Sequence, residues 1–156
     1  MEQAQAEILK VIAPLPTETV SLAQAAGRVL AGEVLSAVDL PRFDNSAMDG
    51  YAVRATDAGK GAKFRCIGEV PAGSSFENEV GEGECVRIFT GSLMPAGVNA
   101  VVMQEDTRVE GGTIEITDGA KPFEHVRLRG EDVKAGEVIG SAGERLHGGR
   151  LQLLGS

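Results

Sequence analysis

The sequence lacks most of the residues from which large aromatic cores are built. It has no Trp, and Phe, Tyr and Trp together make up only 4% of its 156 residues. Glycine is abundant, with 21 residues, which predicts many turns that need unusual backbone angles. The core must therefore come from Val, Leu, Ile and Ala, and we expect short strands more than long helices.

Positive charge is also scarce. Lys and Arg number 15 against 23 Asp and Glu, so the formal net charge is -8 at pH 7. Nucleic acids and anionic membrane surfaces attract proteins with an excess of basic residues, and we therefore expect neither as a partner. The sequence has no apolar run near the roughly 18 residues of a membrane span and no basic-then-apolar leader. The expected location is the cytoplasm.

Cysteine is limited to Cys66 and Cys85. The two residues form no CxxC pair, and each lies inside an apolar run. We predict that both are strand residues with buried side chains, in preference to a disulfide or a metal pair. His125 and His147 have no partners at metal-ligand spacing, and we expect them to be structural or exposed.

The first quarter of the chain favours helix. Residues 2–13 carry apolar side chains near helical spacing, and Pro14 and Pro16 are expected to stop this helix. The segment at 17–22 predicts a short strand. Ser21 is then the expected N-cap of a second amphipathic helix, which Gly32 would break.

The middle of the chain consists of short β-like runs separated by Gly, Pro, Asn and Asp. Strands at this spacing predict a compact β barrel or roll. Gly111 and Gly112 predict a tight hairpin turn within it. The predicted fold class is α+β, mainly β, with a barrel or roll module at 41–121 inserted into a smaller α/β layer made of 1–40 and 122–156.

The run FDNSAMDGYAV, residues 43–53, contains Asp44 and Asp49 among small polar residues. One interpretation is a local Asx turn between two strands, since Asp, Asn and Ser bind their own backbone. A calcium loop is disfavoured, because an EF-hand frame that starts at Asp44 would place Met48 at an oxygen position.

A second run, RIFTGSLMPAGVNAVVMQED at 87–106, places Thr90 and Gly91 directly after an apolar strand. Loop N–H groups and a hydroxyl in this setting suit an oxyanion such as phosphate. An ordinary connection between two strands is the alternative interpretation.

A third run, VRLRGEDVKAG, puts Arg127 and Arg129 on one face of a predicted strand. Two guanidinium groups on one face could bind an anion. The neighbouring Glu131 and Asp132 could instead neutralise them in a solvated charge cluster.

In this order and spacing, the runs closely resemble the N-terminal part of the molybdopterin molybdenumtransferases, the MoeA family that includes the E domain of gephyrin. The resemblance covers residues 21–154, and its most specific string is DNSAMDGYA. It implies a homodimeric enzyme of molybdenum cofactor biosynthesis that inserts molybdenum from molybdate into adenylated molybdopterin with Mg²⁺. The family's later nucleotide-like and C-terminal domains, which complete the cleft, have no counterpart in this sequence, so we expect the chain alone to be inactive.

The resemblance also implies roles for individual residues. Asp49, Thr90 and Asp132 match functional positions and are the candidate catalytic residues. A carboxylate does not attract molybdate or phosphate, so Asp49 would bind Mg²⁺ or orient a water molecule or an arginine. The candidate substrate-binding residues are Ser46, Gly91, Arg127 and Arg129.

Partners follow from the same resemblance. We expect a homodimer formed through the α-containing layer, where four leucines near the end of the sequence would leave apolar surface, Leu146, Leu151, Leu153 and Leu154. A molybdopterin adenylyltransferase-type protein is a further expected partner. Two other functions stay open: a non-catalytic dimerisation or scaffold module, and a small-molecule-binding β barrel unrelated to molybdenum.

Overall fold

The computed structural model describes residues 2–13 and 15–156, which form two compact units. The terminal unit comprises Met1–Leu35 and Val138–Ser156, and the central unit comprises Ser36–Glu137. The central unit is thus inserted into the sequence of the terminal unit. The predicted module at 41–121 lies within the central unit, and its boundaries stay a prediction.

The predicted fold class, α+β and mainly β, is confirmed. The described residues contain the helices α1 (Glu2–Val11) and α2 (Gly148–Leu154), and 3₁₀ turns at Leu22–Gln24 and Gln104–Asp106. The strands are β1 (Val34–Leu35), β2 (Asn45–Ser46), β3 (Gly50–Val53), β4 (Lys63–Val70), β5 (Glu84–Ile88), β6 (Ala100–Met103), β7 (Thr107–Glu110), β8 (Thr113–Ile116), β9 (Val126–Arg127) and β10 (Val138–Gly140). None of the described helices has the length and apolar character needed to cross a membrane.

A curled six-stranded sheet forms the core of the central unit, in the order β6-β3-β5-β4-β8-β7. Its neighbouring strands are antiparallel except β4 and β5, which run parallel. Cys85 and Val86 are adjacent on β5 and fully buried, yet they belong to two different apolar clusters. Successive side chains of a strand point to opposite faces, so both faces of the sheet are packed.

The predicted hairpin is confirmed. β7 and β8 pair in antiparallel register, with Glu110 opposite Thr113. Gly111 and Gly112 connect them with φ angles of 58° and 84°. A two-residue turn with positive φ at both positions matches the right-handed twist of the flanking strands, and glycine adopts it without steric cost.

The predictions for the two cysteines are confirmed in the main. Cys66 and Cys85 are free thiols that face each other on the parallel strands β4 and β5. Cys85 is fully buried, and this burial raises its pKa to about 12. Cys66 is half-buried rather than buried.

The N-terminal helix is confirmed as α1, which ends at Val11, before both predicted stops; Pro14, the first of them, lies outside the described residues. The strand predicted at 17–22 is wrong, because this segment pairs with no described strand. The second helix, predicted to start at Ser21, is wrong beyond its first turn.

Tertiary hydrogen bonds explain why the second helix does not continue. The N–H of Gly27 donates to the carbonyl of Leu146 at 2.8 Å, and the N–H of Leu30 donates to the carbonyl of Glu144 at 2.9 Å. These donors would otherwise serve the helix. The Ser21 hydroxyl donates to the side chain of Gln24 and caps no backbone N–H.

Candidate functional site

The two-residue strand β2 lies at the centre of the candidate site. Asn45 and Ser46 pair with Arg127 and Val126 of β9, and Asn45 also forms a bridge with Leu93. The predicted turn lies one step later than expected, because the backbone is extended at Asn45 and Ser46 and bends at 47–49. The two side chains do bind nearby backbone groups, as that interpretation expected. β2 therefore brings together all three of the runs singled out in the sequence.

Ser46 connects the first run to the second. It is fully buried, its N–H donates to the carbonyl of Ser92 at 3.0 Å, and its own carbonyl accepts from Gly91 at 2.8 Å. Its hydroxyl donates to the carbonyl of Met48 at 2.5 Å. Ser46 thus holds the bend before Asp49, while its predicted contact with substrate stays a prediction.

Asp49 and Thr90 form the most direct contact between two predicted catalytic residues. Asp49 Oδ1 accepts the Thr90 N–H at 2.8 Å and the Thr90 hydroxyl at 2.9 Å. The first of these bonds contributes most to holding the pKa of Asp49 below its usual value; the second bond and the charge of Arg87 add to it. Among the described residues Oδ2 has no hydrogen-bond partner, so it is free to meet a ligand.

The loop that begins at Thr90 uses its N–H groups within the chain. Gly91 and Met94 donate to the carbonyls of Ser46 and Asp44, at 2.8 and 3.0 Å. These bonds are those of a strand–loop–strand connection that is tied to the first run. They fix the position of Gly91, a predicted substrate-binding residue, beside β2.

Arg127 is paired with two carboxylates. Its Nε donates to Glu131 at 2.5 Å and its Nη2 to Asp132 at 2.6 Å. The Asp132 bond and then the Glu131 bond raise the pKa of Arg127, and the Arg127 bond lowers the pKa of Glu131. The neutralised charge cluster is the arrangement that the structure contains.

Arg129 lies beyond the end of β9, so the prediction that both arginines lie on one strand is wrong. Its Nε donates to Asp39 at 2.6 Å, and its N–H donates to Asp44 Oδ1 at 2.7 Å. The N–H of Ala135 donates to Asp39 at 2.9 Å and, with Arg129, lowers the pKa of that carboxyl.

Hydrogen bonds or strand pairs link all the predicted site residues. The bonds described above connect Ser46 with Gly91 and Asp49 with Thr90, which directly precedes Gly91. The pairing of β2 with β9 connects Arg127 to Ser46 and its neighbour Asn45. The ion pair with Arg127 connects Asp132. Arg129 is joined through Asp44. Sequence reasoning missed Asp39, because its bond to Arg129 spans 90 residues and leaves no local pattern.

A search of protein families matches residues 1–156 to the family described as the MoeA N-terminal region, domains I and II. A molybdopterin molybdenumtransferase from Haemophilus influenzae is 40% identical over 159 aligned residues, which cover 100% of this chain and 39% of the relative. One from Nostoc is 41% identical over 143 residues, which cover 88% and 33%. The chain thus spans well under half the length of these relatives.

Solved structures give the same family. A crystal structure described as the molybdopterin biosynthesis moeA protein from Pyrococcus horikoshii superposes with a TM-score of 0.93 at 38% identity. The match covers 99% of this chain and 42% of that protein.

Proposed function

We propose, because this chain belongs to the MoeA N-terminal family, that it forms one wall of a site that inserts molybdenum from molybdate into adenylated molybdopterin. The Asp49–Thr90 pair carries the proposal. Asp49 Oδ1 is held by two hydrogen bonds while Oδ2 stays open. An aspartate is ionised at neutral pH, and the Thr90 bonds lower the pKa of Asp49 further.

Asp49 suits a Mg²⁺ ion held by a single protein carboxylate. Mg²⁺ keeps several water ligands and is commonly bound through one or two carboxylates and substrate phosphates. The described residues contain no group of three or more His, Cys, Asp or Glu that could form a protein cage. Asp49 Oδ2 would be the protein ligand, and the ion would offset the charge of a bound phosphate.

Arg127 and Asp132 can take part as an exchangeable pair. Both side chains are exposed, at 42% and 56%, and an exposed ion pair contributes little to stability. An anionic substrate group could therefore replace the Asp132 carboxylate on Arg127. This exchange would free the Asp132 carboxylate for its predicted catalytic role. It would also give Arg127 its predicted contact with substrate, with Arg129 beside it.

The chain is expected to be inactive by itself, since it spans only 39% of the Haemophilus influenzae relative. Catalysis needs groups held within a fraction of an ångström and shielded from water. The test is a chimera in which this chain replaces the matching region of that relative. Molybdenum insertion should be present in the chimera and absent for the chain alone.

The informative variant of the chimera is Asp49→Asn. The Asn side-chain oxygen can still accept both Thr90 bonds, so the fold should persist while the charge is lost. We expect insertion to fall about 10- to 100-fold. Asp118→Asn is the matched control, because Asp118 is exposed and takes part in none of these bonds. Normal insertion by Asp49→Asn would show that the motif is only structural.

A homodimer formed through the terminal unit is the second part of the proposal. Leu146 is buried, so the predicted surface of four leucines is wrong in that respect. The exposed apolar side chains lie instead on and after α1, with Ile8 57%, Leu9 61%, Val11 83% and Ile12 60% exposed. A ten-residue helix is marginally stable alone, so we expect a second copy to cover it.

The same unit offers a place for such a helix. A groove of about 1110 Å³ is lined largely by apolar residues, including Val20, Leu22, Leu30 and Leu154. Light scattering at micromolar concentration should report a dimer, and Ile8→Glu should shift it to monomer. Glu7→Gln on the same helix should leave it a dimer. A wild-type monomer would contradict this part.

The remaining parts of the proposal are a partner protein and a location in the cell. A molybdopterin adenylyltransferase-type protein would deliver adenylated molybdopterin, as the family resemblance implies. The two free thiols, close together on neighbouring strands, favour a reducing location such as the cytoplasm.

A further inference from the structure

An arginine that the sequence analysis did not single out lies beside the Asp49–Thr90 pair. Arg87 is on β5, three residues before Thr90, and it is half-buried. Its Nη1 donates to the carbonyl of Gly50 at 3.0 Å. The guanidinium thus reaches from the strand that leads to Thr90 to the strand that begins after Asp49.

The second amino group of Arg87 reaches the same bend by another route. Its Nη2 donates to Gln104 Oε1 at 2.5 Å, and the N–H of Gln104 donates to the carbonyl of Asp49 at 3.1 Å. Arg87 is therefore connected to two successive carbonyls where the bend leads into β3, directly to that of Gly50 and through Gln104 to that of Asp49.

Two aromatic rings fix the orientation of the guanidinium. Its central carbon lies 5.2 Å from the ring centroid of Tyr51 and 4.9 Å from that of Phe89, within the range of cation–π attraction. Tyr51 follows the bend, and Phe89 directly precedes Thr90. A planar fork between two rings has a defined position that a lysine ammonium would lack.

We propose that Arg87 is a positioning residue that fixes the bend at Asp49, so that Oδ1 stays on Thr90 and Oδ2 stays open. The inference rests on the proposed function, which places Asp49 in the site.

The test uses the chain itself and needs no substrate. Arg87→Met keeps an apolar stem over the rings and removes the charge and both donors. By NMR, exchange of the Thr90 amide hydrogen, which Thr90 donates to Asp49 Oδ1, should become about tenfold faster, the equivalent of one hydrogen bond. Arg65→Met is the matched control, since Arg65 lies on the adjacent β4 and pairs with Glu84.

Unchanged Thr90 exchange in folded Arg87→Met would overturn the proposal. Equal changes in Arg65→Met would overturn it as well, because they would indicate a general loosening of the sheet. If Arg87→Met does not fold, Gln104→Ala removes only the acceptor of Nη2, and Thr90 exchange in this variant decides.

Activity separates this inference from the function on which it rests. In the chimera, Arg87→Met should lower insertion at least tenfold, about the loss of one well-placed contact. If Thr90 exchange responds to Arg87→Met while Asp49→Asn inserts molybdenum normally, the proposed function fails and the positioning role stands. If Asp49→Asn is inactive but Thr90 exchange does not respond to Arg87→Met, the positioning role fails alone.

Discussion

The backbone of Gly50 lies directly against the carbonyl of Val102 on the neighbouring strand β6. A Cβ added at residue 50 would be 1.9 Å from that oxygen, far inside any real contact. The residue after Asp49 must therefore be glycine for β3 and β6 to pair as they do. We expect Gly50→Ala to lower the free energy of unfolding by about 3 kcal/mol or more, measured by urea unfolding.

Gly59 provides the control for this substitution. A Cβ there would meet nothing within 4 Å, and its φ is not positive. Gly59→Ala should change stability by about 0.5 kcal/mol or less. Equal stabilities for the two variants would mean that β3 and β6 are not packed this closely.

Phe123 has a left-handed backbone, with φ of 64°, which is strained for a bulky side chain. The conformation is held in place because its N–H donates to the carbonyl of Asn99 at 2.7 Å. The side chain is 55% exposed, so little packing is lost on replacement. We expect Phe123→Asn, a residue that tolerates this conformation, to stabilise the protein by about 0.5 to 1 kcal/mol.

Phe123→Val is the matching destabilising variant. A β-branched residue fits the left-handed region worse than Phe, and stability should fall by about 1 kcal/mol or more. Thermal unfolding of the two variants in parallel gives the comparison. If Phe123→Asn and Phe123→Val shift the unfolding temperature in the same direction, backbone strain at residue 123 does not determine the effect of these substitutions on stability.

Local pattern was enough to predict most of the sheet. The runs at 63–70 and 84–89 were predicted as strands, and they form β4 and, over Glu84–Ile88, β5. Both runs are rich in apolar residues that favour strands, and glycine-containing segments bound them. The Gly111–Gly112 hairpin is local as well, since its turn chemistry and its strands are contiguous. The family resemblance likewise identified Asp49 and Thr90, which the structure brings into contact.

Long-range pairing was beyond local pattern. The segment after Ser21 has a helical pattern, but its N–H groups bind residues 144–146, more than a hundred positions away. Asn45 and Ser46 have turn propensity, yet they pair with Arg127 and Val126 of β9, which lie 82 and 80 residues further along the chain. Such contacts override weak local preferences and leave no sequence spacing to detect.

The thiols should differ in reactivity. Cys85 is fully buried with a pKa raised to about 12, so almost none of it is thiolate near neutral pH. Cys66 is half-buried on the adjacent strand. Iodoacetamide should modify Cys66 before Cys85 in the folded chain and both in urea, as followed by peptide mass spectrometry. If Cys85 is modified as fast in the folded chain as in urea, its thiol is not buried.

Acid should destabilise the central unit through Asp39. The N–H of Ala135 and the side chain of Arg129 lower its pKa in the folded chain, so its stabilising effect is complete above its unfolded pKa of about 3.9. That effect is lost as pH falls through the lower folded value, because the folded state must then take up a proton. Asp49 and Glu131, whose pKa values are also lowered, add in the same direction.

Asp39→Asn isolates this contribution. The Asn oxygen can still accept the Ala135 N–H, but it carries no charge for Arg129 and cannot titrate in this range. Urea midpoints measured from about pH 7 to about pH 3 should show the variant less stable than the wild type at neutral pH, with the difference shrinking as the carboxyl protonates. Added salt should reduce the neutral-pH difference, since the Arg129 side chain is 67% exposed and its charge is therefore screened. Glu77→Gln serves as the control, because Glu77 is exposed and forms no hydrogen bond with the described residues, and its difference from wild type should not narrow in this way. A constant gap between Asp39→Asn and the wild type down to acid pH would show that the Asp39 charge does not hold Arg129 and that backbone bonding alone orders this end of the site.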